Sequence, residues 1–133
     1  MTYSDIALNA VLLAVITDLL IKKSLTNKAF IKRIFTSKEI FISKTQKNKT
    51  YYFAKRFAAK ESFAKALGTG FRKNLNFKDI EILNNKLGKP YFSDNKKINK
   101  IILEVFKVKS SNFFLSISDE KDYSIAFTII QKK

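Results

Sequence analysis

Glu61 and Lys65 stand four residues apart in the segment Arg56-Phe57-Ala58-Ala59-Lys60-Glu61-Ser62-Phe63-Ala64-Lys65-Ala66-Leu67-Gly68-Thr69-Gly70. That spacing puts a carboxylate and an ammonium on one face of a helix. An ordinary surface ion pair would look the same, worth only about 0.3–0.5 kcal/mol. Two features point further. Glu61 follows Phe57 by one turn and so tilts towards the buried side. The helix then runs into Gly68-Thr69-Gly70, whose backbone can approach a phosphate closely. The 133 residues contain no cysteine and no histidine. That excludes disulfides, thiolate metal sites, a cysteine nucleophile and an imidazole base. Chemistry here is left to carboxylates, lysines, hydroxyls and backbone groups, with or without a hard cation held by oxygen ligands.

Composition narrows the partners. The formal net charge is +15, which invites nucleic acid, an anionic membrane, an acidic protein or a phosphorylated small molecule. Only Arg33, Arg56 and Arg72 are arginines; the other basic residues are lysines scattered along the chain. Abundant Lys, Asn, Ile and Phe are also what an A+T-rich coding sequence gives, so part of the charge needs no partner. A basic nucleic-acid-binding domain is the alternative reading, and it would bind single strands in a salt-dependent way. Scarce arginine and the lack of clustered basic and aromatic residues speak against it. The most apolar stretch, Ala7 to Ile21, is shorter than the roughly 20 residues that span a bilayer and contains Asn9, Thr17 and Asp18. Asp5 precedes it, where a cleaved leader carries basic residues. A cytoplasmic protein without a membrane span is expected.

The elements that must position Glu61 follow from periodicity and punctuation. With no repeat and no linker, one domain over residues 1–133 is expected. Val11 to Ile21 reads as a buried strand with a polar interruption at Thr17-Asp18, a helix being the alternative for so short a run. Thr36 with Glu39 has capping-box spacing and opens a short helix; Lys44 to Thr50 is a polar loop. Tyr52 to Leu67 is a long helix with Phe53, Phe57, Ala64 and Leu67 near one face, stopped at Gly68. Phe77 to Leu83 reads as a strand, Asn84 to Gly88 as a turn, and Pro90 fixes an extended exit into Tyr91-Phe92. Asn95 to Glu104 is a helix. Asn112 to Ser118 and Tyr123 to Ile130 alternate as a hairpin around Asp119 to Asp122. The class is α+β: an antiparallel sheet packed against a long central helix.

These residues also carry a resemblance. Arg56 to Gly70 resembles the signature helix of the bacterial holo-[acyl-carrier-protein] synthases, roughly R-F-A-x-K-E-A-x-x-K-A-x-G-T-G. Phe77-Lys78-Asp79-Ile80-Glu81 and Gly88-Lys89-Pro90 follow at that family's spacing. Phe30-Ile31-Lys32-Arg33-Ile34-Phe35-Thr36 with Glu39 is similar to its F-x-x-R-I-L-T-x-x-E, and Ser116 to Tyr123 is similar to its closing hairpin. Many members carry a histidine where Asp119 stands.

The resemblance implies a 4'-phosphopantetheinyl transferase-like fold and a Mg2+-dependent transfer of phosphopantetheine from coenzyme A to a carrier-protein serine. It implies Glu61 as a metal ligand and proton acceptor, with Lys65 on the pyrophosphate and Gly68, Thr69 and Gly70 beside it. Pro90, Ser118 and Asp119 would complete the coenzyme A site. Arg56 would reach a coenzyme A phosphate, or else serve as a structural ion-pair partner. The second metal carboxylate is matched best by Asp18 in Val15-Ile16-Thr17-Asp18, with Asp5 as its rival. The family's two glycines before that aspartate are Ala14 and Ile16 here, and the interval from Asp18 to Phe30 is shorter than the family's. An inactive member that keeps the fold is therefore a further alternative. Lys22, Lys23, Lys28, Lys32 and Arg33 on a basic first helix would face an acidic acyl carrier protein. A homotrimer with sites between subunits is implied as well, the Ser118-Asp119 hairpin coming from the neighbouring chain.

Overall fold

The computed structural model describes the backbone of residues 8–72 and 74–132, and side chains within those ranges from Leu20 onward. Its elements run β1 (Leu8–Thr17), α1 (Asp18–Ser24), α2 (Lys28–Ile34), α3 (Ser37–Ser43), α4 (Lys49–Leu67), β2 (Ile82–Asn84), β3 (Pro90–Phe92), α5 (Lys96–Phe106), β4 (Ser111–Asp119) and β5 (Tyr123–Lys132). β1, β5 and β4 form an antiparallel sheet in that order, with Ala14 opposite Ala126 and Leu115 opposite Thr128. β2 and β3 pair as a separate short ribbon.

The α4 helix lies on the three-stranded sheet because both surfaces are built from small residues. Along β5 the residues facing α4 are Ser124, Ala126, Thr128 and Ile130, all fully buried. From α4 come Ala58, Ala59, Ser62 and Ala66, also buried. Short side chains let the helix approach closely, and the Ser62 and Thr128 hydroxyls satisfy each other across the seam. Larger side chains fill the flanks. Phe63 packs against Phe92 and Phe113 with ring centroids 4.7 and 5.3 Å away, and Phe35 packs against Phe53 at 4.5 Å.

Local rules account for the helix ends. Asn27, Asn48 and Asn95 cap α2, α4 and α5 through side-chain oxygens, and Thr36 with Glu39 closes a capping box on α3. The expected 44–50 loop gives up its last two residues to α4, which starts at Lys49 under the Asn48 cap.

Two expectations are corrected. The strand expected over Val11 to Ile21 stops at Thr17, and Asp18 begins a helix whose Ile21 is buried. Apolar residues on both sides of Thr17 and Asp18 hide the change from period 2 to period 3.6, whereas Asp18 suits the positive end of a helix. The strand expected over Phe77 to Leu83 shrinks to Ile82–Asn84, behind a 3-10 turn over Phe77–Asp79. Here the backbone groups find side-chain partners instead of a ladder. The Asn76 N–H donates to the Asp79 carboxylate at 2.8 Å, and the Phe77 and Ile80 carbonyls accept from Lys60. Among the described residues no helix is long and apolar enough to cross a membrane.

Candidate active site

The centre of α4 carries a buried ion pair that sequence reasoning missed. Lys60 and Glu39 are fully buried, with Nζ 2.8 Å from Oε1. Lys60 also donates to the carbonyls of Phe77, at 3.0 Å, and Ile80, so the ammonium spends all three protons inside the protein. Glu39 accepts from the Thr36 N–H at 2.9 Å and the Ile82 N–H at 3.0 Å. One side chain from α4 thereby fixes α3 and the 77–82 segment together. Burial pulls the Lys60 ammonium below its ordinary range, with Glu39 pulling the other way. The Tyr52 phenol, pushed up by burial against the pull of Arg56, keeps its proton and donates to the Glu39 carbonyl at 2.7 Å. Lysine is ordinarily exposed, which is why Lys60 drew no attention in the sequence. Its position one turn after Arg56 and one turn before Ala64, on the apolar stripe, was the available signal.

Glu61, the next residue, turns about 100° around the helix and emerges half-buried. Lys65 is exposed one turn further on, and among the described residues it forms no ion pair with Glu61. The carboxylate and the ammonium are thus both left for other partners. Phe57, one turn before Glu61, stacks on Phe30 and Phe77, with centroids 6.3 and 5.3 Å away, and Phe77 stacks on Phe71 at 3.8 Å. These four aromatic residues line a hollow of about 400 Å³ that Arg33 also borders.

Beyond Lys65 the helix ends in a left-handed turn. Gly68 has φ +82° and its N–H donates to the Lys65 carbonyl at 2.9 Å; Gly70 has φ +59° and donates to Ala64 at 3.1 Å. Among the described residues nothing lies within 4 Å of where a Cβ would stand on either glycine. Both positions need glycine for the backbone angle, and the space over them is open to a ligand.

Arg56 is buried, stacks 4.3 Å from the Tyr52 ring centroid and donates to the Asn84 side chain. Asn84 in turn donates to the Gly88 carbonyl at 2.7 Å. This relay ties α4 to the turn that delivers Lys89 and Pro90. Its Nε is buried with no partner among the described residues.

Ser118 and Asp119 close β4 and are exposed. Asp119 meets Lys55 at 3.4 Å, near the N-terminal end of α4, and the Tyr51 hydroxyl donates to the Lys121 carbonyl at 3.3 Å. Within one chain the hairpin therefore lies at position 55, six residues before Glu61, and not beside Lys65 and the glycine turn. The basic first helix is in fact two helices: Lys22 and Lys23 lie on α1, Lys28, Lys32 and Arg33 on α2, all exposed. Asp18 opens α1 at the junction with β1, and both elements pack on α4. The Asp18 side chain and Asp5 lie outside the described residues.

This arrangement defines a class. Residues 16–128 match the model of the 4'-phosphopantetheinyl transferase superfamily, and the chain belongs to that superfamily. It is 58% identical over 119 residues to the holo-[acyl-carrier-protein] synthase of Pelagibacter ubique, covering 90% of this chain and 93% of that one. Among solved structures it is similar to the holo-[acyl-carrier-protein] synthase of Neisseria meningitidis, with a TM-score of 0.83, 35% identity, and 94% and 99% of the two chains covered. The Bacillus anthracis holo-(acyl-carrier-protein) synthase in complex with coenzyme A (3',5'-ADP) gives a TM-score of 0.78 at 30% identity, covering 95% and 98%. The antiparallel sheet under a long helix agrees with the fold expected from sequence.

Proposed function

We propose that this chain, acting as one domain, transfers the 4'-phosphopantetheine arm of coenzyme A to a serine of an apo acyl carrier protein. The serine oxygen attacks the β-phosphorus of coenzyme A, a new P–O bond forms, and the bond to the α-phosphate breaks. Adenosine 3',5'-bisphosphate leaves. The observation that carries this reading is the half-buried Glu61 carboxylate, without an ion-pair partner among the described residues and followed, one turn beyond Lys65, by a glycine turn that the described residues leave open. Such a reaction is mostly positioning and charge stabilisation, which needs no cysteine or histidine.

The donor set suits a hard cation. Glu61 and Asp18 would hold Mg2+, with phosphate oxygens and water filling the remaining positions. When bound, the ion supplies charge neutralisation at the diphosphate. Glu61 Oε takes the serine proton through a water. Lys65 binds the pyrophosphate, and Gly68 to Gly70 offer backbone and hydroxyl groups nearby. Arg56 and Pro90 join the coenzyme A site through the Asn84 relay. Lys22, Lys23, Lys28, Lys32 and Arg33 receive the acidic carrier protein. Both substrates belong to the cytoplasm, where we place the enzyme.

Three copies assemble, so that the Ser118-Asp119 hairpin of one chain completes the Glu61 site of the next. The sheet face turned away from α4 supports this, because it exposes Phe114, Tyr123 and Phe127 at 49, 39 and 38%. The separation of Asp119 from Lys65 within one chain agrees with it.

The test is transfer itself. Incubated with coenzyme A, Mg2+ and apo carrier protein, the chain gives a carrier heavier by one phosphopantetheine in intact-mass spectra. Glu61→Ala loses at least about 10³-fold in rate, the scale of removing a group that acts in the transition state. No mass gain with any apo carrier protein sinks the proposal.

A further inference from the structure

We infer that Lys55 is a specificity-determining residue for coenzyme A: its ammonium cancels the charge of Asp119 at a polar hollow, letting a position that carries a carboxylate face a polyanion. This rests on the reading that Asp119 lies at the coenzyme A site.

Lys55 and Asp119 meet across the gap between α4 and the end of β4, 3.4 Å apart, with side chains 32 and 40% exposed. Between α4 and the loop before it lies a hollow of about 360 Å³, lined by Lys47, Asn48, Tyr51 and Tyr52 as well as the pair itself. Among the described residues Asp119 is the one acidic side chain on that lining. Coenzyme A is a diphosphate with a further phosphomonoester, so an uncompensated carboxylate at its site repels it at several points.

Holding the hairpin in place does not account for Lys55. A half-exposed ion pair adds little to stability, and the Tyr51 hydroxyl already ties the Lys121 carbonyl to the same stretch of α4. Arg56, the next residue, is turned inwards and committed to Asn84. Lys55 is therefore the α4 cation placed to offset Asp119, and it does so without being needed by the core.

Calorimetric titration of coenzyme A into the full chain, paired with steady-state transfer at varied coenzyme A, tests this. Lys55→Met is expected to raise Kd and KM for coenzyme A about fivefold at low ionic strength, with kcat falling less than KM rises. The difference shrinks as salt is added. Lys55→Arg keeps the affinity. Asp119→Asn in the Lys55→Met background lowers Kd relative to Lys55→Met, because the charge needing compensation is gone. Thermal melts establish that each variant is folded. The inference is overturned if Lys55→Met binds coenzyme A as tightly as the parent. It is equally overturned if the double variant stays as weak as Lys55→Met, which would make Lys55 a direct phosphate ligand. A parent chain that neither binds coenzyme A nor transfers its arm overturns the underlying reading instead, before any substitution is made.

Discussion

Lys60 donates to Glu39 at 2.8 Å in a place where neither side chain reaches water. The pair joins two segments that are 21 residues apart in sequence, and the two carbonyls Lys60 also binds bring in a third. Removing one partner leaves the other charge buried without compensation. Lys60→Met should therefore destabilise the chain by about 3–5 kcal/mol, read as a lower urea midpoint at unchanged m-value. Lys60→Met with Glu39→Leu should recover more than half of that loss, since no lone charge remains. A single variant as stable as the parent would show that the pair contributes nothing.

The glycine turn after α4 makes a second, separable prediction. Gly68→Ala meets no steric obstacle but must hold φ near +82°. A cost of about 1 kcal/mol is expected from the backbone alone. If the turn also approaches a phosphate, Gly68→Val should weaken coenzyme A binding by more than that stability loss explains. Equal affinity of the valine variant and the parent would confine the glycine to a helix-stopping role.

The outer face of the sheet predicts the assembly. Phe127→Asp places a charge in the middle of the exposed aromatic patch without touching the α4 side of β5. Under the proposed assembly, light scattering should find trimers for the parent and monomers for the variant, and transfer activity should fall at least about tenfold as each site loses the neighbouring hairpin. A variant that remains trimeric would place the interface elsewhere.

Much of this molecule was legible in its sequence because the cues were local. The Thr36 and Glu39 capping box, the glycine stop after Leu67 and the alternation of the closing hairpin each need only a few consecutive residues, and all three stand in the structure. The boundary at Asp18 was hidden because Val11 to Ile21 is apolar on both sides of it, so neither period stood out. The 3-10 turn at Phe77 was hidden for another reason. Two of its carbonyls are bound by Lys60, 17 and 20 residues earlier, and no local rule sees that far.

The candidate site divides in the same way. Glu61, Lys65 and the glycine turn share one helix, so their spacing could be read directly. Arg56 could be read as a site residue but not as the donor that reaches Gly88 through Asn84, because that relay depends on where β2 folds back. Lys55 was invisible until the hairpin returned Asp119 to it from 64 positions away.

β5 separates two jobs by the parity of its residue numbers. Ser124, Ala126, Thr128 and Ile130 look at α4, whereas Tyr123, Ile125, Phe127 and Ile129 look the other way. Even positions answer to the interior and odd positions to whatever covers the outside. The strand's contacts with other molecules can thus drift over generations while its hold on the helix stays untouched, and a shift of one residue in pairing would exchange the two roles at every position together.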